Sequence, residues 1–242
     1  MDLQDLSELK AKRRAIRPLL RAGDPADAQA GYYALWHDPR RTRLTVHYDA
    51  RQRADGFAAV CQTGADLFRP LVVVRAEESA VAGALLRSVL DPRRVYQVIV
   101  PLGLAAAVRE VMELSRSNLS RVYRLDAGRF QPIINVLVQR VDSPDGVARF
   151  QIESQGQVMA MSGTNWRSPD FGEVFVYVHP RGRGRGWGKS VVSACTVHLL
   201  EERLRPLYMV DEKNEASVRI AEGLGYIDTG QRDFVGEGQL AG

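Results

Sequence analysis

Hydrophobic positions along the 242 residues change their spacing several times. Leu3, Leu6, Leu9, Ile16, Leu19 and Leu20 recur every three or four residues among basic side chains, the period of one helical face, and Pro18 predicts a kink or break there. Asp24-Pro25 reads as a helix start, an N-cap acceptor followed by proline at the first helical position, with Tyr32, Leu35 and Trp36 as its buried stripe. Shorter, β-branched runs then predict strands at 43–48, 57–62 and 68–75, with Asp55-Gly56 as the hairpin turn between the first two. A helix at 79–90, a strand at 95–100, a helix at 102–114 and a strand at 120–125 follow. Further on, strands at 136–141, 148–153, 158–165 and 171–178 form a meander, with turns at Ser143-Pro144-Asp145-Gly146 and Gln155-Gly156. A helix, a strand at 206–211, a helix opening at Asn214 and a strand at 227–234 complete the chain. Both halves read as strands, helix, strand, helix, strand, the mark of one fold present twice.

One stretch departs from periodicity. The apolar run 174–178 ends at Pro180, and glycines then stand at every second position: Gly182, Gly184, Gly186 and Gly188. Glycines reach backbone angles closed to other residues and let successive N–H groups converge. From Ser190 the chain reads as a helix apolar over most of its circumference, so the turn delivers those amides to a positive helix end, an anion site. It is not a Walker loop: three residues separate Gly184 from Gly188, and five separate Gly182 from it, where four are needed. Nor does an acidic residue about twenty positions on complete a Rossmann unit.

Arg183-Gly184-Arg185-Gly186-Trp187-Gly188 resembles the pyrophosphate loop of the GCN5-related N-acetyltransferases (GNAT), Gln/Arg-x-x-Gly-x-Gly/Ala. The strand at 206–211, Asn214, the small Ser217 and the closing Leu224-Gly225-Tyr226 follow in that family's order and spacing, and the resemblance covers roughly 136–230. It implies an α/β (α+β) fold with a mixed, mostly antiparallel sheet flanked by helices, and acetyl-CoA as co-substrate. It also implies a cofactor site made by the backbone of Val176, Tyr177 and Val178, by Arg183, Gly184, Arg185, Gly186, Trp187, Gly188, Lys189 and Ser190, and by Asn214 and Ser217. The expected division is 1–126, a degenerate half, and 127–242, the acetyl-CoA-binding half. Where the second half has its glycine loop, the first has Glu77-Glu78 before Ser79, and carboxylates at a helix start repel a diphosphate. The first half is therefore expected to shape the substrate rather than bind the cofactor.

Composition adds exclusions. Against 33 basic residues stand 29 acidic ones, so a formal charge of +4 is no reason to expect nucleic acid. An Arg-Gly nucleic-acid segment at 181–186 is disfavoured because strand and helix flank it tightly. Cys61 and Cys195 fall inside expected elements, too few for a disulfide framework or a metal centre. No secretory leader or membrane-length apolar run is read, so a cytoplasmic protein, monomer or homodimer, is expected.

For the chemistry, transfer of an acyl group from a thioester to an amine needs a proton acceptor for the amine and support for the leaving thiolate. Glu173 on the central strand is the candidate base, and Tyr208 the candidate acid, with Tyr226, Ser217 or water as substitutes. The family's usual tyrosine in the Asn-containing helix is replaced by Ala221. Asn214 reads equally as a helix cap, Trp166 as packing or as a substrate wall, and His198 as a core residue. The expected reaction is N-acetylation of a small-molecule, amino-acid or peptide amine; the alternative is a degenerate relative that binds coenzyme A as a sensor.

Overall fold

A computed structural model describes residues 3–64, 66, 68–143 and 146–242, with the side chains of residues 3 and 4 outside that description. In chain order the elements are α1 (Leu3–Ala15), α2 (Pro25–Gly31), β1 (Thr42–Tyr48), β2 (Ala54–Cys61), β3 (Leu71–Ala76), α3 (Ser79–Val89), β4 (Tyr96–Pro101), α4 (Ala105–Val111) and β5 (Met112–Leu125). There follow β6 (Gln139–Asp142), β7 (Ala148–Ser154), β8 (Gln157–Arg167), β9 (Phe171–Val178), α5 (Trp187–Glu201), β10 (Arg205–Asp211), α6 (Glu215–Gly223) and β11 (Tyr226–Leu240). The chain forms two compact units: Met1–Ser120 with Gln231–Gly242, and Arg121–Gly230. The expected division at 126/127 lies six residues beyond the change of unit at Ser120/Arg121, and the last twelve residues cluster with the first unit.

In the first unit β1, β2 and β3 are antiparallel neighbours, β4 runs parallel to β3, and residues 233–238 of β11 pair antiparallel with β4. Helices α3 and α4 bury Val72, Val74, Leu86, Val98, Val100, Val108 and Phe234 against one face. Asp24 caps α2 as expected, its Oδ1 accepting from Ala26 N at 2.9 Å. The anticipated stripe fails beyond it. Residues Tyr32–Trp36 wind as one π-turn, closed by His37 N donating to Tyr32 O, so Tyr33 and Ala34 are buried and Trp36 is 47% exposed. The expected turn at Asp55-Gly56 is also corrected: the reversal lies at 49–53, where Asp49 accepts from the Arg51 and Arg53 amides, and Asp55-Gly56 sit inside β2. The break near Pro18 is present as a short 3-10 turn, Arg17–Leu19. Of the N-terminal stripe, the Leu3 side chain lies outside the described residues.

The helix expected to reach 114 stops at Val111, and the strand expected at 120–125 begins at Met112. The strand expected at 227–234 likewise runs to Leu240. The cause is common to both. The start of β5 and the end of β11 lie side by side, Ala241 N donating to Val111 O at 2.9 Å, and Gly238 so close to the Glu113 backbone that any Cβ would overlap it.

In the second unit β6, β7, β8 and β9 are successive antiparallel neighbours and β10 joins β9 in parallel. The second part of β5 and the first part of β11 also belong here, Thr229 Oγ1 donating to Val122 O at 2.7 Å. Helices α5 and α6 cover one sheet face, burying Val174, Val191, Val192, Leu199, Tyr208 and Leu224. Gly172 exists for that packing, since a Cβ would stand 2.7 Å from Leu199 Cδ2. The strand expected from 136 starts at Gln139, Val136 being 94% exposed. Of the turn at 143–146, Ser143 N donates to Val147 O at 3.0 Å; Pro144 and Asp145 lie outside the described residues. Among the described residues no helix is long and apolar enough to cross a membrane, and no cluster of three or more His, Cys, Asp or Glu could hold a metal. The mixed, mostly antiparallel sheet flanked by helices matches the expected fold class.

Candidate functional site

The site is built where two parallel strands part. β9 and β10 pair from Phe171 with Arg205 to Val174 with Tyr208, and there the register ends, although β9 continues to Val178 and β10 to Asp211. On its other edge β9 stays paired with β8, and His179 N donates to Met159 O at 2.8 Å. A strand's hydrogen-bonding groups alternate between its two neighbours, so Tyr177 turns its amide to β8 while Val176 and Val178 turn theirs to the gap. All three line a cavity of about 780 Å³ that opens at this split. The expected trio is thus divided: Val176 and Val178 offer free amides, Tyr177 an exposed side chain.

Beyond β9, Pro180–Gly182 form one 3-10 turn whose first amides are held by His179, the side chain accepting from Arg181 N. Gly182 is pressed against Met159 O, where a Cβ would stand at 2.8 Å. Gly184 and Gly186 both take φ of +73°, a left-handed conformation costing an ordinary residue ~1–2 kcal/mol. Ser190 N to Gly186 O, 3.1 Å, is the first hydrogen bond of α5, which leaves the amides of Trp187, Gly188 and Lys189 without intrahelical acceptors. Gly188 allows α5 to approach the sheet: a Cβ would meet Val178 Cγ2 at 2.8 Å. Arg183, Lys189 and Arg219 give the cavity its positive lining.

Two expected contacts are not brought to the cavity. Ser190 is buried, its hydroxyl donating to Gly186 O and accepting from Asn135 Nδ2 at 3.1 Å, so it braces the loop from behind. Arg185 lays its guanidinium 4.9 Å above the Trp187 ring and is absent from the lining. Sequence reading missed Ala216, Arg219 and Ile220 and named Gly182 only as part of the glycine run; all four line it. The helical period of α6 could have found Ala216, Arg219 and Ile220, since these three share one face of that helix.

Asn214 caps α6, Oδ1 accepting from Ser217 N at 3.2 Å, and also lines the cavity. Tyr208 is 1% exposed and does not line the cavity; its hydroxyl lies 2.7 Å from Ser217 Oγ, which does. Burial pushes the Tyr208 phenol up to about 12. Tyr226 is tied to Thr196 at 2.7 Å, deep in the core, and burial pushes its phenol further still above the ordinary value.

Glu173 is on the opposite face of the sheet from Tyr208. Even-numbered residues of β9 face α5, as Gly172 and Val174 do, so Glu173, Phe175 and Tyr177 face away. The Glu173 carboxyl is 6% exposed, and burial pushes it up to about 7, with a hydrogen bond from the Asn165 side chain working against that rise. Asn165 occupies the irregularity between Thr164 and Trp166 in the β8–β9 ladder, a bulge that re-aims a side chain. Neither Asn165 nor its bulge had a signal in the sequence. Trp166 is 3% exposed and packs in the sheet, and His198 is likewise buried, 3.2 Å from Glu202.

The family model described as FR47-like protein matches residues 154–235. No curated protein matches the chain in sequence. Solved structures do match. A GCN5-related N-acetyltransferase from Kribbella flavida is 16% identical with a TM-score of 0.65, over 90% of this chain and 96% of its own. A GCN5-related N-acetyltransferase-like protein from Streptococcus suis 89/1591 is 14% identical with a TM-score of 0.64, over 94% and 98%. A tandem GNAT protein from the clavulanic acid biosynthesis pathway is 15% identical with a TM-score of 0.57, over 98% and 95%. The fold is that of the GNAT superfamily.

Proposed function

We propose that the chain is an acetyl-CoA-dependent N-acetyltransferase acting on a primary amine of a small molecule, amino acid or peptide. In this reading 127–242 is the acetyl-CoA-binding half and 1–126 a degenerate copy, a duplication supported by the fold likeness to a tandem GNAT protein over 98% of the chain. The observation that carries the activity is the split between β9 and β10, which opens beside a helix N-terminus with three unused amides.

The residues fit the co-substrate. The amides of Trp187, Gly188 and Lys189, presented by Gly184 and Gly186, suit a diphosphate, and Arg183, Lys189 and Arg219 supply countercharge. The gap-facing amides of Val176 and Val178 suit the pantetheine and the thioester oxygen, and Asn214 and Ser217 close the far wall. Acetyl-CoA supplies an acyl carbon activated by its thioester. Glu173, ionised in part near pH 7, takes in its carboxylate form the proton that the amine loses as its nitrogen bonds to that carbon. The breaking C–S bond would leave its electron pair on sulfur, and Ser217, which lines the cavity, is a hydroxyl available there to a thiolate.

Calorimetry with acetyl-CoA, followed by thiol release with polyamines, aminoglycosides, amino acids and peptides, tests the proposal. Binding together with amine-dependent release is expected. Because Ala221, fully buried, stands where the family places an acidic tyrosine, a second reading is a coenzyme A sensor; binding without release from any amine would favour it.

A further inference from the structure

Tyr208 and Ser217 present an arrangement that the loop alone does not explain. A phenol in the core of a protein needs an acceptor for its hydrogen, because an unpaired buried donor is costly. At 1% exposure Tyr208 has its hydroxyl 2.7 Å from Ser217 Oγ. When Tyr208 donates, Ser217 Oγ is the acceptor and the serine hydrogen is released from the pair. Ser217 lines the cavity and Tyr208 does not, so that hydrogen has the cavity as its outlet. The Ser217 amide is separately held by Asn214 Oδ1 at 3.2 Å, which fixes the first turn of α6 and with it the position of Oγ.

Resting on the reading of this cavity as the coenzyme A site, we infer that the Ser217 hydroxyl, oriented by Tyr208, is the hydrogen-bond donor to the departing thiolate. The role is stabilisation, not full protonation. Serine does not give up its proton to a thiolate whose acid has a pKa near about 8.5, but a hydrogen bond to the charged sulfur favours that charge. The electron pair of the broken C–S bond rests on sulfur under this bond until solvent protonates it. Tyr208 touches no reacting atom and acts by holding the Ser217 rotor, so it is a positioning residue.

The bound thiol itself supplies the test. Coenzyme A is titrated on the protein and the thiolate followed by its ultraviolet absorbance, alongside calorimetric affinity for acetyl-CoA. In the unaltered protein the bound thiol should ionise about one unit below free coenzyme A. Ser217→Ala should remove that shift, read on protein saturated with coenzyme A, and Ser217→Thr should restore it. Tyr208→Phe, isosteric and needing no repacking, should remove part of the shift, and the double variant should match Ser217→Ala. An unshifted thiol in the unaltered protein, a shift that survives Ser217→Ala, or losses that add in the double variant, would each overturn the inference. Failure of the unaltered protein to bind coenzyme A at all would instead overturn the site on which the inference rests.

Discussion

The two units make the same break in their sheets and use it differently. In the first, β3 and β4 pair only from Leu71 with Gln97 to Val73 with Ile99, yet run on to Ala76 and Pro101. In the second, β9 and β10 stop pairing at Val174 and Tyr208 in the same manner. After β9 comes a glycine loop and an open cavity; after β3 come Glu77 and Glu78, the latter at the N-cap of α3 without a side-chain cap. Just before them Arg75, 7% exposed, is held by Asp27 Oδ1 at 3.3 Å and by the Ala26 and Val74 carbonyls. A parted strand pair is thus a property of the fold, whereas a ligand site needs the local chemistry that follows it.

The contrast can be broken first by cutting the chain at 126/127. Residues 1–126 lack the segment 233–238 that pairs with β4, and 127–242 lack the part of β5 beside β11. Neither fragment should show a cooperative thermal transition by circular dichroism, and an independently melting fragment would refute the strand assignment.

Glu173→Gln comes next. Removing a general base is expected to lower kcat by about 10²–10⁴ with acetyl-CoA affinity intact, and the wild-type rate should rise with pH through about 7. Stability should move the other way. Burial raises this carboxyl from 4.5 to about 7, so the unfolded chain loses the proton first and wild-type stability falls across that interval. The variant escapes the fall: equal to wild type near about pH 4, and more stable by ~3 kcal/mol near about pH 8, by denaturant melts.

Asp27→Ala probes the first unit. Taking from buried Arg75 one of its two neighbouring carboxylates, with Asp233 and the Ala26 and Val74 carbonyls remaining, should cost ~1–3 kcal/mol in melts and leave acetyl-CoA affinity unchanged. Smallest is the effect at the loop. Gly186→Ala, at φ +73°, should cost ~1–2 kcal/mol and weaken acetyl-CoA binding about tenfold by calorimetry, while Glu78→Ala in the first unit leaves binding untouched.

What the sequence disclosed follows from what is local. The loop is spelled by glycine spacing, and its cavity-lining residues were legible except for Ala216, Arg219 and Ile220 on α6; the inward turn of Ser190 and the stacking of Arg185 on Trp187 were not. Most strands of both meanders were legible from β-branched runs. The extents of β5 and β11 were not, because each is fixed by a partner more than a hundred residues away, as Val111 and Ala241 are. Asp55-Gly56 misled because a turn dipeptide was absorbed into β2 once Asp49 organised the reversal. Trp36 misled because one π-turn rotates the face that a 3.6-residue period assigns. Tyr208 was legible as a residue of the strand beside the cavity, but its seat behind Ser217 depends on the depth of the core.

The pairing of 233–238 with β4 also bears on how the protein comes to exist during translation. As the ribosome extends the nascent polypeptide, the N-terminal sheet must wait with one flank open until those late residues emerge. Its closure is a long-range event of the kind that slows folding, and in the interval the bare edge of β4 is open to pairing with other chains.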